Sequence, residues 1–256
     1  MVTQAESTDH SAAALERAPT GREIIYRHTF IVRLTHWLNA IVLLVMLGSG
    51  LNIFNAHPRL YWGRTGTNGD PSWLSINGWP HWMTIPGFQD LADARHWHFL
   101  FAWVLGLNGL AYLVWSLCIR HLQRDLVPTG RDLKGIGRSI ADHAQLTHPT
   151  GEAAKRYNVL QRLAYLGVII LILVMVCSGL TLSPGIDTAA PWLLDLFGGR
   201  QSARSIHFIC TSLIVAFVIV HLIEVVLAGP INEVRSMITG RYVVPPDPAS
   251  DGSTAQ

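Results

Sequence analysis

The sequence predicts an all-α protein: an integral membrane four-helix bundle with an amphipathic helix on its cytoplasmic surface. Three observations lead there. Half of the 256 residues are hydrophobic and only 14% are charged, against roughly a quarter charged in soluble domains. Four apolar runs, at about residues 32–54, 97–119, 160–182 and 205–227, each approach the ~20 residues that cross a bilayer. Histidines recur inside or beside those runs, and an imidazole in a membrane span is costly enough to mark function by default.

In chain order, residues 1–23 are polar and rich in Ala, Ser and Thr, which reads as a disordered tail. They lack a cleavable signal pattern. Residues 24–240 form one membrane domain, and residues 241–256, containing VVPPDP, a second disordered tail. The loop between the first two spans carries Gly, Pro, Trp62, Trp73, Trp79 and Trp82, the composition of a segment lying at a membrane interface. The second loop contains RDLKGIGRSIADH. There Leu133, Ile136, Gly137 and Ile140 recur at helical spacing, predicting a short surface helix. The third loop opens with Pro184-Gly185 and is short. No internal repeat stands out. The net charge of +2 is too small to suggest nucleic-acid binding. Cys118, Cys177 and Cys210 all lie in apolar runs, and three cysteines cannot form a full disulfide framework.

Basic residues set the orientation. The second loop and its edges hold Arg120, Arg124, Arg131, Lys134, Arg138, Lys155, Arg156 and Arg162, and Arg17, Arg22, Arg27 and Arg33 approach the first span. Both termini are therefore expected in the cytoplasm, with the first and third loops outside.

The fourth span carries His207 and His221, 14 residues apart. Fourteen steps of ~100° return to within ~40° of the same face and rise ~21 Å. Two imidazoles thus share a face at opposite depths. With this topology His36 lies near the inner surface and His98 near the outer one, so depth pairs His36 with His221 and His98 with His207. A lone histidine at a span end is ordinarily interfacial. Four that pair by depth across three helices suit bis-imidazole ligation of two haem b irons in a helical bundle. Zinc would keep two of its usual four positions empty with two histidines. His96 competes with His98 but faces nearly the opposite way, towards Phe99, Leu100, Trp103 and Leu107. The face of His98 continues through Ala102, Leu105, Gly109 and Tyr112, which leaves more room for a macrocycle, so His98 is preferred. The third span has no histidine and is expected to be a framework helix. His57 and the other loop histidines are expected in solvent. Arg33, Arg95, Arg200 and Arg204 flank the proposed ligands, where they suit haem propionates or form the ordinary basic edge of membrane helices.

The segments RLTHWLNA, RHWHFLFAW and the His-x13-His of the fourth span resemble the bacterial di-haem cytochrome b family. It includes formate dehydrogenase gamma subunits, hydrogenase cytochromes b and thiosulfate reductase cytochrome b subunits. The R-x-W-H-F pattern is most similar to the thiosulfate reductase branch. The resemblance covers about residues 24–240. It implies two non-covalent haems b, a quinone site near the cytoplasmic haem, an inner-membrane location and an extracytoplasmic redox partner, which the thiosulfate reductase branch makes a molybdopterin oxidoreductase. KRYNVLQR resembles the family's Y-N-x-x-Q stretch and implies a quinone contact for Asn158, although Val159-Leu160 stand where formate dehydrogenases have small residues. From sequence alone Asn158 is equally a helix N-cap. The expected function is electron transfer between the quinone pool and that partner, which performs the substrate chemistry. Two alternatives stay open. One is a stand-alone quinone-linked oxidoreductase using a small soluble donor or acceptor such as superoxide. The other is a haem-free anchor or transporter. A homodimer is compatible with either redox reading.

Overall fold

The computed structural model describes residues 16–17, 23–67, 69–120, 127–128, 130, 135–144 and 159–245. Four helices are long and apolar enough to cross a membrane: α1 (Phe30–Asn55), α2 (Leu91–Cys118), α4 (Val159–Leu180) and α7 (Arg200–Leu227). The protein is thus a multi-pass helical membrane protein, as its composition requires. In a bilayer only a helix or a closed barrel satisfies every backbone polar group within the spanning segment. Helix α2 starts well before its apolar run because Asp90 caps it, its carboxylate accepting from the amides of Ala92 at 2.9 Å and Asp93 at 3.0 Å.

The chain divides into two compact units. The larger comprises Leu34–Val127 and Arg162–His221. Its core is a layer of Val42 and Met46 from α1, Leu105 from α2, Met175 from α4, and Cys210 and Ile214 from α7. Leu44, Trp103, Leu173 and Val220 lie on the outsides of the same helices, where lipid would cover them. The two faces of α2 divide as the sequence predicts. Leu105 is buried, whereas Leu100, Trp103 and Leu107 are exposed.

The first loop is held by side chains at the end of α1. Asn52 is fully buried. It donates to the carbonyls of Pro86 at 3.0 Å and Phe88 at 2.7 Å and accepts from Asp90. One turn on, Asn55 accepts from the Trp79 amide and donates to its carbonyl. The loop contains a two-stranded ribbon, β3 (Arg59–Leu60) with β4 (Leu74–Ser75). Between the two strands, the Gly63 carbonyl accepts from the Gln201 and Ser202 amides at the start of α7, and Ser202 Oγ accepts from the Gly63 amide. This close approach needs glycine at 199. Its φ is +106°, and a Cβ there would meet Arg64 Cγ at 2.7 Å and the Gly63 oxygen at 2.9 Å. Two short helices, α5 (Pro184–Ala189) and α6 (Pro191–Leu196), fill the third loop. Each begins on a proline, whose missing N–H costs nothing at that position.

The smaller unit comprises Met1–Arg33, Pro128–Gln161 and Leu222–Gln256. Strands β1 (Glu16–Arg17), β2 (Glu23–Tyr26) and β5 (Arg241–Val243) form an antiparallel sheet in the order β1-β2-β5. Strand β5 lies within the stretch read from sequence as a C-terminal tail. Its Tyr242 pairs with Ile25 and is buried beside it. Helix α8 (Pro230–Thr239) sits between Gly229 and Gly240, both with positive φ. Asn232 of α8 bonds both the amide and the carbonyl of Val243. Arg27 lies 3.6 Å from Glu233 and over the Tyr242 ring at 4.3 Å. The surface helix expected in the second loop is α3 (Ile136–Ala144); Leu133 lies outside the described residues.

Because the buried Asn52 amide donates to the carbonyls of Phe88 and of Pro86, the latter also reached by Thr84 Oγ1, Asn52→Leu removes two hydrogen bonds at a cost of about 1–3 kcal/mol. The expected outcome is a clearly lower thermal midpoint in detergent and faster proteolysis within residues 79–88. An unchanged midpoint would show that the loop is held elsewhere.

Candidate functional site

Each depth-matched pair of histidines comes together. The rings of His98 on α2 and His207 on α7 have centroids 6.2 Å apart with planes at 65°. Those of His36 on α1 and His221 on α7 also lie 6.2 Å apart, at 64°. Phe217, one turn before His221, stacks on that ring with centroids 5.9 Å apart. His96, by contrast, is turned outward. Its side chain is 81% exposed and 3.9 Å from Asp93.

The His98–His207 pair is held by two matching sets of groups. His98 Nδ1 lies 3.1 Å from Ser49 Oγ, and the His98 ring bonds the Met46 carbonyl. Ser49 Oγ is itself 3.2 Å from that carbonyl. His207 Nδ1 lies 3.2 Å from Ser178 Oγ and 2.9 Å from the Met175 carbonyl, and Ser178 donates to the same oxygen at 3.0 Å. A carbonyl can only accept, so His207 carries its proton on Nδ1; at His98 the Ser49 hydroxyl, whose own proton goes to a carbonyl of α1, is left to accept from Nδ1 in the same way. Each Nε2 is then left with a bare lone pair, the form that binds a metal. Glycines clear the space beside the rings. A Cβ on Gly50 would meet His98 Cε1 at 3.4 Å, and one on Gly179 would meet His207 Cε1 at 3.0 Å.

These residues fit a haem. Two imidazoles on one metal, each bonded at about 2 Å with the ring centre about 1 Å further, have centres about 6 Å apart. Both pairs match that spacing. His36 Nδ1 is buried without a hydrogen-bond partner, a nitrogen that a ligand or a water must satisfy. Among the described residues no three His, Cys, Asp or Glu side chains group into a metal site. The donor set is therefore two imidazoles per site, which suits a metal whose other ligands come from a macrocycle.

The flanking arginines are engaged with the protein itself. Arg204 donates to the carbonyls of Arg59, at 3.0 Å, and His57, and its guanidinium lies 5.8 Å from the Phe54 ring centre. Arg95 lies over the Phe99 ring at 5.5 Å. Arg200 bonds the Leu182 carbonyl and sits 3.9 Å from Asp187. In the smaller unit Arg33 donates to the Ile238 carbonyl and lies 3.3 Å from the Tyr26 hydroxyl. His57 is not simply solvated, since its ring stacks on Tyr61 with centroids 6.1 Å apart. Burial, then Arg204 and Arg59, push its pKa below the usual imidazole value. Asn158 lies outside the described residues.

Sequence reasoning missed the part played by the third span. Helix α4 is not only framework, because it supplies the serine and carbonyl that hold His207. The signal is an internal repeat. Residues 33–51 and 162–180 align without gaps at an offset of 129 and are identical at nine of nineteen positions, including V-M-x-x-S-G-L. Arg95, His98 and Phe99 on α2 likewise match Arg204, His207 and Phe208 on α7 at an offset of 109. The two copies are separated by a long insertion, so the repeat has no short fixed period and shows only when the spans are set side by side.

A family model for prokaryotic cytochrome b561 matches residues 27–240. The chain is also 34% identical over 211 residues to the putative protein-methionine-sulfoxide reductase subunit YedZ1 of Azospira oryzae, a match covering 80% of this chain and 93% of that protein.

The two glycines differ in clearance, and that difference is measurable. Gly179→Val forces a side chain into the position of His207, so Soret absorbance per chain should fall. Gly50→Ala adds only an ordinary van der Waals contact and should leave it at the wild-type level. Equal absorbance in all three proteins would separate the glycines from the haem site.

Proposed function

The chain belongs to the prokaryotic cytochrome b561 family, a family of membrane haem b proteins, and from that premise we propose that it is an electron-transfer subunit. It would carry electrons between membrane quinone and an extracytoplasmic oxidoreductase through two haems b, one held by His98 and His207 and the other by His36 and His221. The observation that carries this reading is the common 6.2 Å separation of both imidazole pairs. Bound haem supplies a reversible one-electron couple whose potential follows its ligands and burial. The chain's own residues do the rest. Ser49 Oγ at His98 and the Met175 carbonyl at His207 keep the Nδ1 protons in place, leaving Nε2 to donate. The closely packed residues around Val42, Met46, Leu105 and Met175 keep water out of the space between the two pairs.

The name of the Azospira relative supports a redox partner. Resemblance to the thiosulfate reductase branch supports a molybdenum cofactor in that partner. The excess of Arg and Lys in the second loop supports cytoplasmic termini, which makes His98–His207 the outer pair and His36–His221 the inner one. A C-terminal reporter active only outside the cytoplasm would reverse those labels. The quinone site is proposed at the inner end, with Asn158 offering both an amide donor and a carbonyl acceptor.

A pyridine haemochrome assay on the purified full chain tests the reading. Two haems per chain are expected in the wild type and in His96→Ala, and one in each of His98→Ala and His36→Ala. A wild-type value near one would overturn it. In the same preparations Asn158→Leu should keep both haems while quinol-driven reduction slows. Loss of one buried hydrogen bond, about 1–3 kcal/mol, corresponds to roughly ten- to a hundred-fold in affinity. Unchanged quinol kinetics would remove Asn158 from the site.

A further inference from the structure

The duplicated cradle around the outer pair does more than fill space. We infer that Ser49 and Ser178 are matched positioning residues for the outer haem, each fixing the ring plane and the Nδ1 proton of one axial histidine. This inference rests on the two-haem reading above.

The two copies share one arrangement. In the α4 copy the Ser178 hydroxyl, the Met175 carbonyl and His207 Nδ1 lie mutually within hydrogen-bond reach; in the α1 copy the Ser49 hydroxyl lies 3.1 Å from His98 Nδ1 and 3.2 Å from the Met46 carbonyl, to which the His98 ring also bonds. A hydroxyl has one proton and two lone pairs. The proton of Ser178 goes to the Met175 carbonyl, and that of Ser49 to the carbonyl of Val45, at 2.8 Å, or of Met46. The oxygen lone pairs therefore face the imidazoles: the Nδ1–H of His207 is shared between a carbonyl and a hydroxyl, and that of His98 meets the Ser49 hydroxyl. Both serines are fully buried, so no bulk water can replace them. An acceptor at Nδ1 makes the imidazole a stronger donor through Nε2 and favours the oxidised metal. Two acceptors in a fixed triangle also hold the ring against rotation about its Cβ–Cγ bond, and so hold the 65° between the planes.

A plainer account is available. Serine in a membrane helix commonly bonds its own i−3 or i−4 carbonyl, and that alone would explain its burial. The two accounts differ in what they predict. Back-bonding alone leaves the haem indifferent to the hydroxyl. Positioning makes one spectroscopic component respond to both serines, although Ser49 shares a helix with His36 of the inner pair and Ser178 lies on a helix with no histidine.

The experiment is a redox titration of the full-length holoprotein, followed optically and by EPR, with the outer component identified as the one lost in His98→Ala. In Ser49→Ala and in Ser178→Ala the haem content should stay at two. The midpoint potential of the outer component should rise, because an Nδ1 acceptor is gone. Its largest g value, which follows the angle between the imidazole planes, should move. The inner component should stay in place. The double variant should shift the outer component further than either single one. Should an alanine variant lose the outer haem, Ser→Cys keeps the volume with a weaker acceptor and should give a smaller shift in the same direction. An outer component unmoved in either serine variant, or an inner component moved equally, would overturn the inference. A wild-type protein without two components would instead overturn the two-haem reading itself.

Discussion

The structure depends most on the hydrogen bond between a histidine Nδ1 and a main-chain carbonyl of a neighbouring membrane helix. An imidazole within the bilayer cannot be left to water. Its N–H needs an acceptor, and its other nitrogen needs a donor or a metal. Helical carbonyls are already used by the i+4 amide, but each has a second lone pair. Met46 and Met175 offer that lone pair to His98 and His207. Close approach requires a small residue beside the contact, and Gly50 and Gly179 follow the two serines directly. One constraint thus explains a carbonyl, a hydroxyl and a glycine in each copy of the motif.

The same constraint gives the first loop its work. The His98–His207 pair draws one histidine from near the start of α2 and one from near the start of α7, so both starts must be held in register. Asn52 reaches the Asp90 amide at the head of α2. Gly63, Ser205 and Arg204 tie the loop to the head of α7. Trp73 Nε1 donates to Ser205 Oγ at 2.9 Å, and that hydroxyl donates to the Tyr61 carbonyl. Ser205 stands two residues before His207. The tryptophans read from sequence as interfacial therefore do structural work as well. Trp62 and Trp73 stack with centroids 5.7 Å apart, and Trp73 bonds the helix that carries both His207 and His221.

The membrane class and the pairing of histidines were legible because they follow from one-dimensional properties. Apolar runs of fixed length give spans, and depth along a span gives the match of His98 with His207 and of His36 with His221. The choice of His98 over His96 followed from periodicity, and the two side chains do point to opposite sides. The groups that hold the rings were not legible in the same way. Ser49 and Ser178 look like ordinary small membrane residues, and a carbonyl has no letter in the sequence. The arginines were read by charge, yet Arg204 and Arg200 spend hydrogen bonds on carbonyls, which only the path of the loops reveals. Strand β5 was hidden because three residues beside two prolines carry almost no periodic signal, and their partner strand lies more than two hundred residues away.

The internal repeat also explains why the two ends of the bundle differ. If α1–α2 and α4–α7 are two copies of one helical hairpin, His98 and His207 are equivalent positions and form a site from like parts. At the other end the equivalence breaks. The offset of 129 places Tyr165 of α4 where α1 has His36, and the offset of 109 places Tyr112 of α2 where α7 has His221. Each hairpin therefore keeps one histidine at that end, and the two kept are on α1 and α7, whose rings meet. A fully symmetric pair of hairpins would carry four histidines there and define two competing sites. Replacing one member of each hypothetical pair by a phenol removes that ambiguity while keeping an aromatic ring of similar length at the same depth. Tyrosine bears a hydroxyl that can both donate and accept but offers no neutral nitrogen lone pair to iron. The asymmetry thus leaves a single histidine pair, His36 with His221, at this end of a duplicated scaffold.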